Sequence, residues 1–133
     1  MLAYLCVAVG GALGSVGRFW LNGFVSERFD TFPMGTLVVN VAGSFIIGLL
    51  GALTMPEGRM SSEGRAFATQ FLMIGLCGGF TTFSSFSLQT LNLLREREWF
   101  YAGGNVLLSI ALCLVATWFG YLLGSALNPM KGN

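Results

Sequence analysis

The sequence predicts an all-α integral membrane protein of four transmembrane helices, and three observations carry that expectation. Of the 133 residues, 54% are hydrophobic and 10% charged, and the mean hydropathy is +0.72. A soluble domain of this length needs far more charged surface, a demand that a bilayer lifts from every lipid-facing side chain. The seven Lys and Arg and the six Asp and Glu are confined, with one exception, to the gaps between long uncharged runs. Each run is continuously apolar and long enough to cross the hydrocarbon core as a helix, for which about 20 residues suffice. Continuous apolarity does not fit the alternating pattern of a membrane β-barrel.

The first run covers residues 1–25 and is interrupted only by Arg18. It lacks the basic start and small-residue cleavage site of a signal peptide, so it is expected to stand as the first helix, approximately 2–25. The second run predicts a helix over 35–54 and the third a helix over 66–94. The fourth run, residues 99–130, predicts a helix over 99–127. The last two runs exceed the length needed, which implies tilt, a break or protruding ends. Short turns join them: residues 26–34 with Pro33, 55–65 with Pro56 and Gly58, and 95–98 with alternating charge. The expected organisation is one four-helix transmembrane domain over 1–133. Trp20, Trp99, Tyr101, Trp118 and Tyr121 lie where aromatic residues form interfacial belts.

Several function classes drop out. The chain has no histidine, so a Ser-His pair cannot be written, and no catalytic set is expected. Cys6, Cys77 and Cys113 fall on three different runs without metal-ligand spacing and read as small apolar residues. No glycine pattern of the phosphate- or dinucleotide-binding kind occurs, and the single lysine is Lys131. Nucleotides, nucleic acids and organic cofactors are therefore not expected. The predicted helices also contain no Asp or Glu, whereas proton-coupled exporters of similar size rely on an intramembrane carboxylate. A passive pathway needs only polar side chains and dipoles that replace lost hydration.

Charge placement bears on assembly. With four spans, Arg59, Arg65 and Lys131 lie on one side of the bilayer and Arg28, Arg95 and Arg97 on the other. Three against three gives the positive-inside rule no clear orientation, and counting Arg18 shifts the balance by one residue. The balance suits dual topology, in which an antiparallel homodimer with a two-fold axis in the membrane plane could enclose what one small chain cannot. A weakly biased but fixed orientation is the alternative.

Polar stripes cross the helices. Thr36, Asn40, Ser44 and Gly48 recur every four residues along one face of the second helix. Ser44 and Gly48 suit close helix packing, while Asn40 offers amide donors either to a partner or to a passing anion. Residues 75–87 are the richest segment, with three glycines in five residues followed by hydroxyls interleaved with phenylalanines. The glycines weaken a helix, so a break near residues 75–79 is expected at a buried interface, where freed carbonyls suit a cation such as sodium. On an ideal helix Phe80, Phe83, Ser84 and Ser87 share one side, while Thr82, Ser85, Gln89 and Asn92 share another. A ring edge carries positive potential and can face an anion weakly, although phenylalanines at this spacing also pack. Tyr101, Asn105 and Ser109 form a stripe on the fourth helix that admits both readings. Arg18 either snorkels or supplies positive potential at an anion vestibule.

The pattern Gly35-Thr36-Leu37-x-x-Asn40-x-x-Gly43-Ser44-Phe45, with residues 75–87 and Gly14-x-x-x-Arg18, resembles the CrcB or Fluc family of small fluoride channels over essentially the whole chain. The resemblance implies a passive fluoride channel of the bacterial inner membrane that exports fluoride from the cytoplasm and lowers its toxicity. It implies a dual-topology antiparallel homodimer with two pores. Phe80 and Phe83 would be the paired pore phenylalanines, Asn40 the amide donor beside them, and Thr82, Ser84, Tyr101, Asn105 and Ser109 further polar lining. A structural sodium ion at the dimer interface would be held by backbone carbonyls that map to Gly75 and Gly78. Gln89 departs from the acidic residue common at that position, and Asn105 from a common hydroxyl. The competing readings are a small multidrug-type antiparallel transporter and a non-transporting membrane assembly subunit.

Overall fold

The computed structural model describes residues 1–29 and 31–128; Lys131, counted above in the charge balance, lies outside them. The described residues form helices and turns without strands. Helix α1 runs Leu2–Ser26 and α2 Met34–Leu53. The third span, Ser62–Arg95, is built of four pieces. These are α3 (Ser62–Phe67), a wider π-wound stretch π1 (Ala68–Cys77), a closing turn α4 (Gly78–Phe80) and α5 (Phe83–Arg95). Helix α6 runs Trp99–Leu127. All four spans are long and apolar enough to cross a membrane, which makes this a multi-pass membrane protein.

The starts and stops follow from local chemistry. Pro33 precedes α2, where a fixed φ and a missing N–H cost nothing. Ser61 caps α3 by accepting the Gly64 N–H at 3.1 Å, with Glu63 in the first turn. The turn between α5 and α6 closes through Arg97 at φ 66°, the one non-glycine residue with positive φ among those described. At the far end of α2, Asn128 Nδ2 donates to the Ala52 and Leu53 carbonyls at 3.1 and 3.3 Å, while its Oδ1 accepts the Arg59 N–H at 2.9 Å. One side chain after α6 thus adds a donor to the carbonyls at the end of α2.

Two glycine seams hold the spans together. Helix α1 lies against π1 and α4 so closely that a Cβ on Gly10 would meet the Phe71 carbonyl, one on Gly14 the Leu76 carbonyl, and one on Gly79 the Gly11 carbonyl. Helix α2 lies against α6 in the same way, with Gly48 on the Thr117 carbonyl and Gly120 on the Phe45 carbonyl. Close backbone approach supplies the van der Waals contact that hydrophobicity cannot drive inside lipid. Helix α5 is packed more thinly, with Leu93 its one buried residue.

The third span is broken, as its glycines suggest, but the two extended residues are Thr81 and Thr82, at ψ 157° and 108°. Residues 75–79 stay wound because they keep their helical bonds and use their bare surfaces for contact with α1. The break instead falls where threonines can replace lost helical partners. Thr81 N–H and Oγ1 both donate to the Cys77 carbonyl at 2.9 Å, and Thr82 Oγ1 accepts the Ser85 N–H at 3.2 Å, capping α5.

Candidate functional site: a polar groove at the helix break

Asn40 on α2 clamps the broken strand of backbone. Its Oδ1 accepts the Thr82 N–H at 2.8 Å and its Nδ2 donates to the Thr82 carbonyl at 3.1 Å. The amide therefore pairs with Thr82 as a neighbouring strand would, and one Nδ2 hydrogen remains uncommitted by this pair. In an unbroken helix the Thr82 N–H would bond to the Gly78 carbonyl; the clamp releases that oxygen. The same break places the N-terminal end of α5, with its partial positive charge, within the depth of the membrane.

Beside the clamp lies a groove of about 410 Å³. Its polar wall is Asn40, Ser44, Thr81, Thr82 and Ser109, and its apolar wall is Phe83, Phe86, Ile47, Ile110, Cys113 and Leu114. The two phenylalanine rings stand 5.3 Å apart between centroids at 47°. Phe83 is 78% exposed, so in one chain the groove opens toward lipid.

Thr82 also lines a second cavity, of about 340 Å³, with Ser15, Arg18, Asn22, Thr36, Ser85 and Gln89. No acidic side chain lines it. Gln89 in turn lines a third, of about 280 Å³, with Ser26, Thr31, Asn92 and Glu96 near the loops. The Gln89 Oε1 is buried without a hydrogen-bond partner. Thr82 and Gln89 thus join three polar spaces in series along one face of α5, the Thr82, Ser85, Gln89 and Asn92 stripe.

The predicted residues divide accordingly. Asn40, Thr82, Phe83 and Ser109 meet in the groove, and Arg18 lines the adjoining cavity. Phe80 does not share the wall with Phe83: it precedes the break, and its ring lies against Gly17 and Gly43. The ring beside Phe83 on the groove of this single chain is that of Phe86, because a helical wheel drawn through residues 80–87 assumes a continuous helix, and only Phe83 and Phe86 belong to the same one. Ser84 is exposed, 3.3 Å from Thr82 Oγ1. Tyr101 stands apart at the start of α6, with its ring edge to Phe32 at 6.3 Å. Asn105 is 2% exposed and bonds to Thr90, away from the groove lining.

The two glycines assigned to sodium also differ. The Gly75 carbonyl accepts the Gly78 N–H, and Gly75 is buried against Gly10. Gly78 is exposed, and the Thr82 N–H that would bond its carbonyl in a continuous helix is taken by Asn40.

Residues 5–121 match the family described as CrcB-like protein, Camphor Resistance (CrcB). The chain belongs to the CrcB family. Among relatives of this CrcB chain, a protein of Opitutus terrae is 60% identical over the full length of both chains. One of Methylocella silvestris is 55% identical over 97% of this chain and 98% of its own. One of Rhodospirillum rubrum is 48% identical over 96% and 98%. All three are named fluoride-specific ion channel FluC.

Proposed function

We propose that this CrcB-family chain is a passive, fluoride-selective channel of the bacterial inner membrane, exporting fluoride from the cytoplasm. The names of its full-length relatives support the ion. The observation that carries the mechanism is the clamped break: Asn40 fixes an interrupted helix beside two phenylalanine rings and neutral hydroxyls. Fluoride is strongly hydrated, so a pathway must offer replacement donors without binding too tightly to release the ion. Ring edges and single N–H or O–H donors meet both demands better than a full positive charge.

Fluoride enters the loop-side cavity, passes the neutral Gln89 and meets the field of Arg18 in the next. It then passes Thr82 into the groove, where the remaining Asn40 N–H, Ser109 and the rings of Phe83 and Phe86 take it up. Export needs no pump. Fluoride crosses from acidic surroundings as neutral HF, loses its proton in a near-neutral cytoplasm, and leaves through the channel down its gradient.

An antiparallel homodimer completes the groove. The lipid-open wall at Phe83, Ile110 and Leu114 is apolar and exposed, and the three-against-three count of Arg and Lys in the loops and the tail suits insertion in both orientations. A second copy would close the open side and bring two Gly78 carbonyls toward one axis. Sodium held there would supply a fixed positive charge at the centre of the dimer.

The test is fluoride efflux from liposomes holding purified protein, started with valinomycin and followed with a fluoride electrode, with chloride measured alongside. Rapid fluoride loss with chloride retained is expected. Retention of both ions by vesicles shown to contain folded protein would favour the assembly-subunit reading, and proton-driven drug uptake the multidrug transporter.

A further inference from the structure

Asn105 is one of the most completely buried side chains in the protein, and it is an amide in an apolar helix. Its Nδ2 donates to Thr90 Oγ1 at 2.9 Å, and Thr90 Oγ1 donates to the Phe86 carbonyl at 2.8 Å. On the other side, Ser109 Oγ donates to Asn105 Oδ1 at 3.5 Å. Both ends of this series, Phe86 and Ser109, line the groove, but Asn105 and Thr90 do not. The series therefore joins the ring wall on α5 to the hydroxyl wall on α6 from behind.

Helix α5 needs such a tie. Its start is pinned by Asn40 through Thr82, but a helix fixed at one point beside an extended hinge can still turn about its own axis. Leu93 alone is buried along it. The bond at Thr90 lies eight residues beyond Thr82, about 12 Å along the helix, and fixes a second point. Phe83 and Phe86 lie between the two. In lipid no water competes for the amide, so the partner it finds inside the protein is the one it keeps.

We propose that Asn105 is a positioning residue that, through Thr90, sets the rotation of α5 and so the placing of Phe83 and Phe86 against Ser109. The functional part rests on the channel reading of the groove. Because neither Asn105 nor Thr90 touches the path, their loss should act on how well the path discriminates as well as on how fast it conducts.

The experiment measures fluoride and chloride efflux from liposomes for the full chain, Asn105→Leu, Thr90→Val, the double variant, and the exchanged pair Thr90→Asn with Asn105→Thr. Gel filtration confirms that each protein is assembled. Each single variant should slow fluoride by roughly three- to twentyfold, the range that intramembrane side-chain bonds support, and lower the fluoride-to-chloride ratio. The double variant should be no slower than the slower single, and the exchanged pair should recover rate and ratio. Normal rates in both assembled single variants, strictly additive losses, or slower fluoride at an unchanged ion ratio would each overturn the positioning role and leave the channel reading intact. Absence of fluoride efflux from the unaltered chain would overturn both.

Discussion

Asn40 spends half of its hydrogen-bonding capacity on the backbone of Thr82 before it can meet an anion. Replacing it with alanine removes two bonds from the extended stretch, each worth about 1 kcal/mol. Asn40→Ala is expected to lower both thermal stability and fluoride flux, the latter by more than about tenfold, as read by differential scanning fluorimetry and liposome efflux. Phe83→Ile and Phe86→Ile keep apolar bulk but remove the ring edge, so both should block fluoride while the assembled form persists on gel filtration. Phe80→Ile should instead leave ion selectivity unchanged and lower the melting temperature, because that ring fills space between Gly17 and Gly43. Among these residues, Asn40, Thr82, Phe83 and Ser109 were legible because an amide, hydroxyls and a ring are conspicuous in an apolar run. Phe86 was not, since its face depends on where the helix restarts.

The third span shows what residue type leaves open at the scale of elements. Three glycines in five residues marked a weak helix, and the span does break, but a glycine whose cost in the helix is offset by close contact can stay wound and serve as a contact surface. Thr81 and Thr82 carry the break because their hydroxyls and the facing Asn40 supply partners that glycine lacks. The π-winding of Ala68–Cys77 had no signature in hydropathy. Its neighbour across the seam tests the packing: Gly14→Ala would drive a methyl group into the Leu76 carbonyl. Overpacking of this kind costs about 1–3 kcal/mol, so a lower melting temperature is expected, with Gly23→Ala, which meets nothing within 4 Å, as the unaffected control.

For the molecule as a whole, composition and the spacing of the charged residues announced four spans, because the bilayer imposes a length and an apolarity that few other environments demand. The pairing of those spans was hidden, since α1 on the third span and α2 on α6 are recognised through backbone surfaces rather than side-chain chemistry. Dual topology makes a direct prediction. A single cysteine in the 56–60 turn, on a background without the three native ones, should be labelled by an impermeant reagent in about half of the molecules in sealed inverted vesicles, as near-equal basic flanks require. Labelling that is complete or absent would establish one fixed orientation.

The Asn128 bridge carries a consequence for how the chain comes into being. Its amide reaches the Ala52 carbonyl across a sequence separation of 76 residues, so the tie at the end of α2 joins parts of the chain made far apart in time. Neither of its ends can use it until the residues after α6 have been translated. The last part of the chain to be made thus fastens one of the first to enter the bilayer.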